Sequence, residues 1–78
     1  MAVTIKYFGM IAEVTHKNEE RIELPTCTVG ALKAKLQEAY PSLKEKTYTM
    51  AVNRQLMPME GIIPSGAEVA LLPPFSGG

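Results

Sequence analysis

One stretch of this chain repeats its apolar residues at helical spacing over several turns, and it carries its own start and stop signals. Val29, Leu32, Leu36 and then Ala39 or Tyr40 fall on one face. Thr28 stands just ahead of them, where a hydroxyl accepts a hydrogen bond from a first-turn amide that would otherwise lack a partner. Pro41 disfavours helical backbone at Tyr40 and ends the run. Lys33, Lys35, Gln37 and Glu38 lie mainly off the apolar face, and Gly30 is a weak point near the start. Ile11 to Val14 offers at most one further helical turn. Most of the rest of the chain alternates with a period of two. A single helix among strands has one economical way to bury its stripe, against the face of a sheet.

The strands are read from that alternation. Val3, Ile5 and Tyr7 point inward over Ala2 to Phe8, with Thr4, Lys6 and Phe8 outward. Ile22 and Leu24 point inward over Glu20 to Leu24, which Pro25 ends. Tyr48, Met50 and Val52 share a phase over Thr47 to Val52. Asn53-Arg54-Gln55 turns the chain, and Leu56-Met57 begins a short return strand. Ile62 and Ile63 both help close the core. After the Ser65-Gly66 turn, Glu68 to Leu72 places Val69 and Leu71 in and Ala70 and Leu72 out. The order strand, strand, helix, strand, short strand, strand gives an α+β fold with a mixed sheet of four to five strands and one main helix on one face. In a β-grasp arrangement the first and last strands lie parallel at the centre of such a sheet. The domain is expected to cover residues 1–72, followed by a flexible extended tail over 73–78.

Two residues break the inside/outside rule. Phe8 and Leu72 occupy outward phases, and Leu56 beside the turn can join them. Contiguous exposed apolar side chains mark an interface, whereas single ones need no explanation. This patch leads directly into the tail, Pro73-Pro74-Phe75-Ser76-Gly77-Gly78. The prolines favour extended backbone and push the tail away from the body. Gly77-Gly78 has no Cβ and passes where other residues do not fit. Six extended residues reach at most about 20 Å, far enough to bring the Gly78 carboxylate deep into a partner's active site.

The side chains themselves offer little chemistry. At 78 residues with 46% apolar content, the chain has the size and composition of one ordinary globular domain. Its eight basic and eight acidic residues cancel, with no basic stripe to direct it to nucleic acid. Every acidic residue is Glu, which removes Asp-rich metal loops. His16 is the single histidine and Cys27 the single cysteine, too few for a zinc site. His16, in a polar loop, reads as solvated. Cys27 reads as a small buried apolar residue rather than a thiol activated by the helix start. Glu19-Glu20 reads as a solvated charge pair. No disulfide forms within the chain, and no apolar run is long enough to span a membrane, so a cytoplasmic protein is expected.

The chain resembles the small, sulfur-carrying subunits of molybdopterin synthase, which are ubiquitin-like β-grasp proteins. The resemblance runs its whole length: Ile5-Lys6-Tyr7-Phe8-Gly9 with Ala12-Glu13-Val14, then Leu24-Pro25, Thr28-Val29 and Leu32 through Tyr40-Pro41-Ser42-Leu43. It continues through Ala51-Val52-Asn53 and is most specific over Gly66 to Pro74 and Ser76-Gly77-Gly78. The Pro-Pro pair before Gly-Gly favours this family over the related thiamine sulfur carriers. Ser65-Gly66-Ala67 stands where Asp residues are common, and Phe75 where a smaller apolar residue is usual. The resemblance implies a carrier rather than an enzyme, with no bound cofactor. An adenylating enzyme of the ubiquitin-activating kind uses ATP on the Gly78 carboxylate, and a separate donor supplies sulfur to make a thiocarboxylate. The tail then enters the large synthase subunit, in a heterotetramer, and gives sulfur to cyclic pyranopterin monophosphate. Phe8, Leu56 and Leu72 match the family's apolar docking positions. Sulfur carriage for thiamine or cysteine synthesis stays open as an alternative, as does a ubiquitin-like modifier or interaction module.

Overall fold

The computed structural model describes residues 1–74. Strand β1 spans Ala2–Tyr7, a short helix α1 Met10–Thr15, β2 Glu19–Glu23 and the main helix α2 Val29–Ala39. A 3-10 turn over Pro41–Glu45 leads into β3, Thr49–Val52, then β4, Gln55–Leu56, and β5, Glu68–Leu72. The five strands lie in the order β2-β1-β5-β3-β4. Neighbours are antiparallel except β1 and β5, which run parallel at the centre with Ile5 opposite Val69 and Tyr7 opposite Leu71. This is the ubiquitin-like β-grasp, with α2 over one face of a mixed sheet.

Alternation fixes which face the helix covers. Val3, Ile5 and Tyr7 of β1, Met50 and Val52 of β3, and Val69 and Leu71 of β5 are all buried in one core with Val29, Leu32 and Leu36 of α2. Ile11 and Leu43 complete the core from α1 and the 3-10 turn. The helical stripe therefore meets the inward set of each long strand, as the two periods require.

The start of α2 is fully provided for. The Thr28 hydroxyl accepts from the Ala31 amide at 3.1 Å, while Val29 and Gly30 donate to the carbonyls of Gly61 and Met59 at 2.9 and 2.8 Å. Gly30, a weak point by propensity, has a packing reason. A Cβ there would lie 3.3 Å from the Met59 carbonyl oxygen, so its absence admits the crossing segment.

Four expectations need correction. Glu20 is not solvated. It shares the inward phase of Ile22, so its carboxylate sits beneath Tyr7 and Tyr40 and accepts from both hydroxyls. Ile62 is 56% exposed while Ile63 is buried, because adjacent residues in extended backbone face opposite ways. The hairpin turn is two residues, Asn53 and Arg54, both at positive φ (50° and 67°), which moves the return strand one residue earlier to Gln55–Leu56. Cys27 is half-buried rather than buried.

Candidate functional site

The helix-free face of the sheet is where the outward residues gather. Registers place Lys6, Ala70, Ala51 and Leu56 in one row across β1, β5, β3 and β4. Four strands at the usual spacing make that row about 14 Å wide. The next position along brings Phe8 and Leu72 to adjacent central strands, with Thr49 opposite Leu72. Phe8 is 43% exposed and Leu56 72%, while Leu72 is half-buried. Ala51 and Ala70 between them form a low apolar floor. The parallel pairing of β1 with β5 is what unites Phe8 and Leu72, which are distant in sequence.

A charged border flanks this surface. Lys6 and Glu68 pair at 3.2 Å across the central strands. Asn53 then ties the hairpin to the start of β5: its amide donates to the Glu68 carbonyl at 2.8 Å, and its Oδ1 accepts from the Glu68 amide at 3.0 Å. The border and turn hold the strand carrying Leu72 in register with both neighbours.

β5 runs out of the sheet at this patch. The Phe8 amide donates to the Leu71 carbonyl at 3.3 Å, so pairing with β1 continues one residue past the strand. Pro73 then lies half-buried with its ring against Gly9, and Pro74 is exposed. Phe75, Ser76, Gly77 and Gly78, on which the expected tail chemistry rests, lie outside the described residues. The sequence pointed to Phe8, Leu56 and Leu72 but gave Gly9 no role. Its positive φ of 57° and its contact with Pro73 are visible only once β1 and β5 are paired.

Elsewhere no reactive grouping forms among the described residues, and no set of three or more Cys, His or Glu side chains could hold a metal ion. His16 is exposed at the left-handed C-cap of α1, as expected of a solvated side chain. Cys27 lines a shallow depression with Leu24, Pro25 and Ala31, alongside Lys35 and Glu38 but no histidine. The Tyr7, Tyr40, Glu20 and Lys17 cluster lies partly buried at the end of the sheet away from β4, with Lys17 at the surface. Burial, then the bond to Glu20, pushes the Tyr7 hydroxyl well above its ordinary range. For Glu20 burial acts upward, but bonds from Tyr40, Tyr7 and Lys17 outweigh it and hold the carboxyl below its ordinary value. A tyrosine kept neutral and a carboxylate kept charged by three donors read as a structural cluster. No described helix is long and apolar enough to cross a membrane.

The family model described as "ThiS family" matches residues 5–78. The chain belongs to the ThiS family. A sulfur carrier subunit of molybdopterin synthase from Mycobacterium tuberculosis is 35% identical to this family member, covering 97% of this chain and 96% of its own. A chain of the complex of subunits 1 and 2 of molybdopterin-converting factor from Helicobacter pylori is similar over both full lengths, with 28% identity and a TM-score of 0.74. SAMP1, small archaeal modifier protein 1, from Haloferax volcanii is similar over both full lengths with 26% identity and a TM-score of 0.83.

Proposed function

We propose that this chain is the sulfur carrier subunit of a molybdopterin synthase, acting through its C-terminal carboxylate rather than through any side chain. The observation that carries the reading is its end-to-end likeness to the M. tuberculosis carrier subunit. The helix-free face supports it: an apolar patch lies beside the point where the chain leaves β5. The patch docks the body on the large subunit while the residues that follow Pro73, Pro74 to Gly78, enter that subunit's site. The H. pylori complex of subunits 1 and 2 supports a partner of this kind.

The chemistry follows from what a carboxylate lacks. It is a poor electrophile, so an adenylating enzyme of the ubiquitin-activating kind first joins the Gly78 carboxylate to AMP, releasing pyrophosphate from ATP. Sulfide, or sulfur released at the sulfide level by a donor, attacks the carbonyl of the mixed anhydride and AMP departs, leaving a thiocarboxylate. In the large subunit that sulfur passes to cyclic pyranopterin monophosphate and water restores the carboxylate. Two such transfers build a dithiolene. The chain binds no cofactor of its own in this scheme.

Intact mass after incubation with a molybdopterin-pathway adenylating enzyme, ATP and sulfide tests the reading. The wild-type chain gains the mass of one oxygen exchanged for sulfur, and variants lacking Gly78 or carrying one extra residue after it do not transfer sulfur, though they stay folded. Wild-type transfer by either variant would overturn it. The likeness to small archaeal modifier protein 1 favours one second reading, in which a lysine amine takes the activated Gly78 carbonyl. High-mass conjugates on a denaturing gel distinguish it. Co-purification with a thiazole synthase marks instead a carrier for thiamine.

A further inference from the structure

Gly9 occupies backbone that few other residues can adopt, at φ 57° and ψ −135°. It is pinned from both sides. Ahead of it, Phe8 donates to Leu71 of β5 at 3.3 Å. Behind it, the Phe8 and Gly9 carbonyls accept from Ile11 and Ala12 at 3.1 Å, and Ile11 is wholly buried in the core. Gly9 is therefore part of the rigid body. A Cβ built on it would stand 3.2 Å from Cγ of Pro73, with Cβ and Cδ of the same ring at 3.8 and 3.9 Å. The pyrrolidine ring covers the bare Cα of Gly9, and a methyl group beneath it would push the ring away by a few tenths of an ångström.

We infer that Gly9 is a positioning residue: its missing side chain seats the Pro73 ring and so fixes the direction in which the C-terminal segment leaves β5. The inference rests on the sulfur-carrier reading for its consequence but not for its geometry. The five residues beyond Pro73 reach at most about 17 Å, and the direction of Pro73 and Pro74 sets where that reach starts. Reacting atoms have to approach within about 3–3.5 Å. Docking through the patch places the body, and the seat sets the direction in which Pro73 and Pro74 lead away from it. Pro73, with its own φ fixed by its ring, transmits the orientation onward.

The test uses full-length Gly9→Ala, Pro73→Ala and the double variant. In the free chain, Cα–Hα residual dipolar couplings of Pro73 and Pro74 are compared with those of β5. In the wild type they fit the same alignment as the strand. In both single variants they fall to half or less while the strand values stay unchanged. Couplings identical to wild type in the variants would overturn the seat, whether or not the chain carries sulfur. In the complex, thiocarboxylated chains are mixed with the large subunit, and dissociation constant and saturating single-turnover rate are measured separately. The singles keep the dissociation constant within about threefold and lose at least tenfold in rate. The double variant loses less than the product of the two single losses, because removing the ring removes what the methyl group strikes; a full product of losses overturns the inference, as does a wild-type rate. If Gly9→Ala does not fold, Pro73→Ala at the edge of the domain decides alone. A wild-type chain that transfers nothing refutes the sulfur-carrier reading instead, and the couplings still decide the seat.

Discussion

Glu20 accepts from three donors with one carboxylate, from Tyr7 and, at 2.6 Å, Tyr40 on one oxygen and from Lys17 at 3.1 Å on the other. The rings of Tyr7 and Tyr40 meet edge to face with centroids 6.1 Å apart, which holds the two hydroxyls on the same acceptor. Because the folded state keeps the Glu20 carboxyl below its ordinary value, its contribution is present above the unfolded value of about 4.3 and is lost as pH falls through the folded one. Tyr7 has the opposite sign: raised in the fold, it contributes fully below about pH 10 and the contribution is lost as pH rises beyond. Glu20→Gln is expected to lower stability by about 1–2 kcal/mol at pH 7, the range for a lost charge-assisted bond partly replaced by the amide. Urea denaturation at pH 7 and pH 3 measures it, and the gap from wild type narrows at the lower pH. An equal gap at both values would show that the charge on Glu20 does not matter. The role was half visible in the sequence. Residue 20 shares the phase of Ile22, but nothing in the alternation says that two tyrosines, one from the end of α2, converge on it.

At the scale of elements, α2 shows how local signals and tertiary contacts divide the work. Thr28 and Pro41 bound it where the sequence places them, and the Val29, Leu32 and Leu36 stripe is buried as its spacing requires. Thr28→Ala removes the acceptor for the Ala31 amide and is expected to cost about 1 kcal/mol. For a domain of this size that is a fall of about 4–8 °C in Tm, whereas Thr28→Ser retains the cap and stays close to wild type. Thermal melts of the two variants give the comparison, and equal melting of Thr28→Ala and wild type would show that the cap contributes nothing. The elements the sequence did not resolve are those without a periodic signal. The 3-10 turn over Pro41–Glu45 buries Leu43 completely, yet a single leucine after a proline has no period to read. The two-residue turn at Asn53-Arg54 puts Arg54 at positive φ, which its residue type does not announce.

For the whole molecule, the decisive event is the pairing of β1 with β5. It brings residues from opposite ends of the chain together, sets Phe8 beside Leu72, and seats Pro73 on Gly9. Phe8→Ser and Leu56→Ser are expected to weaken binding to the proposed large subunit at least tenfold; Leu56→Ser changes stability by no more than about 0.5 kcal/mol because the side chain is 72% exposed, and Phe8→Ser, at 43% exposed, costs about 1–2 kcal/mol. Calorimetric titration alongside urea denaturation separates the two effects, and undiminished affinity in both variants would remove the patch from the docking surface. The sequence by itself determined the fold class, the inward and outward sets of the long strands, the bounds of the helix and the small yield of side-chain chemistry. Those follow from period, caps and composition, all local properties of the chain. Only the tertiary structure decided where the outward residues meet, that Glu20 turns inward to two tyrosines, that Ile62 faces out, and that a glycine near the start carries a proline near the end. These depend on which strands become neighbours and in what register, and that is settled by burying every apolar face at once rather than by any one segment.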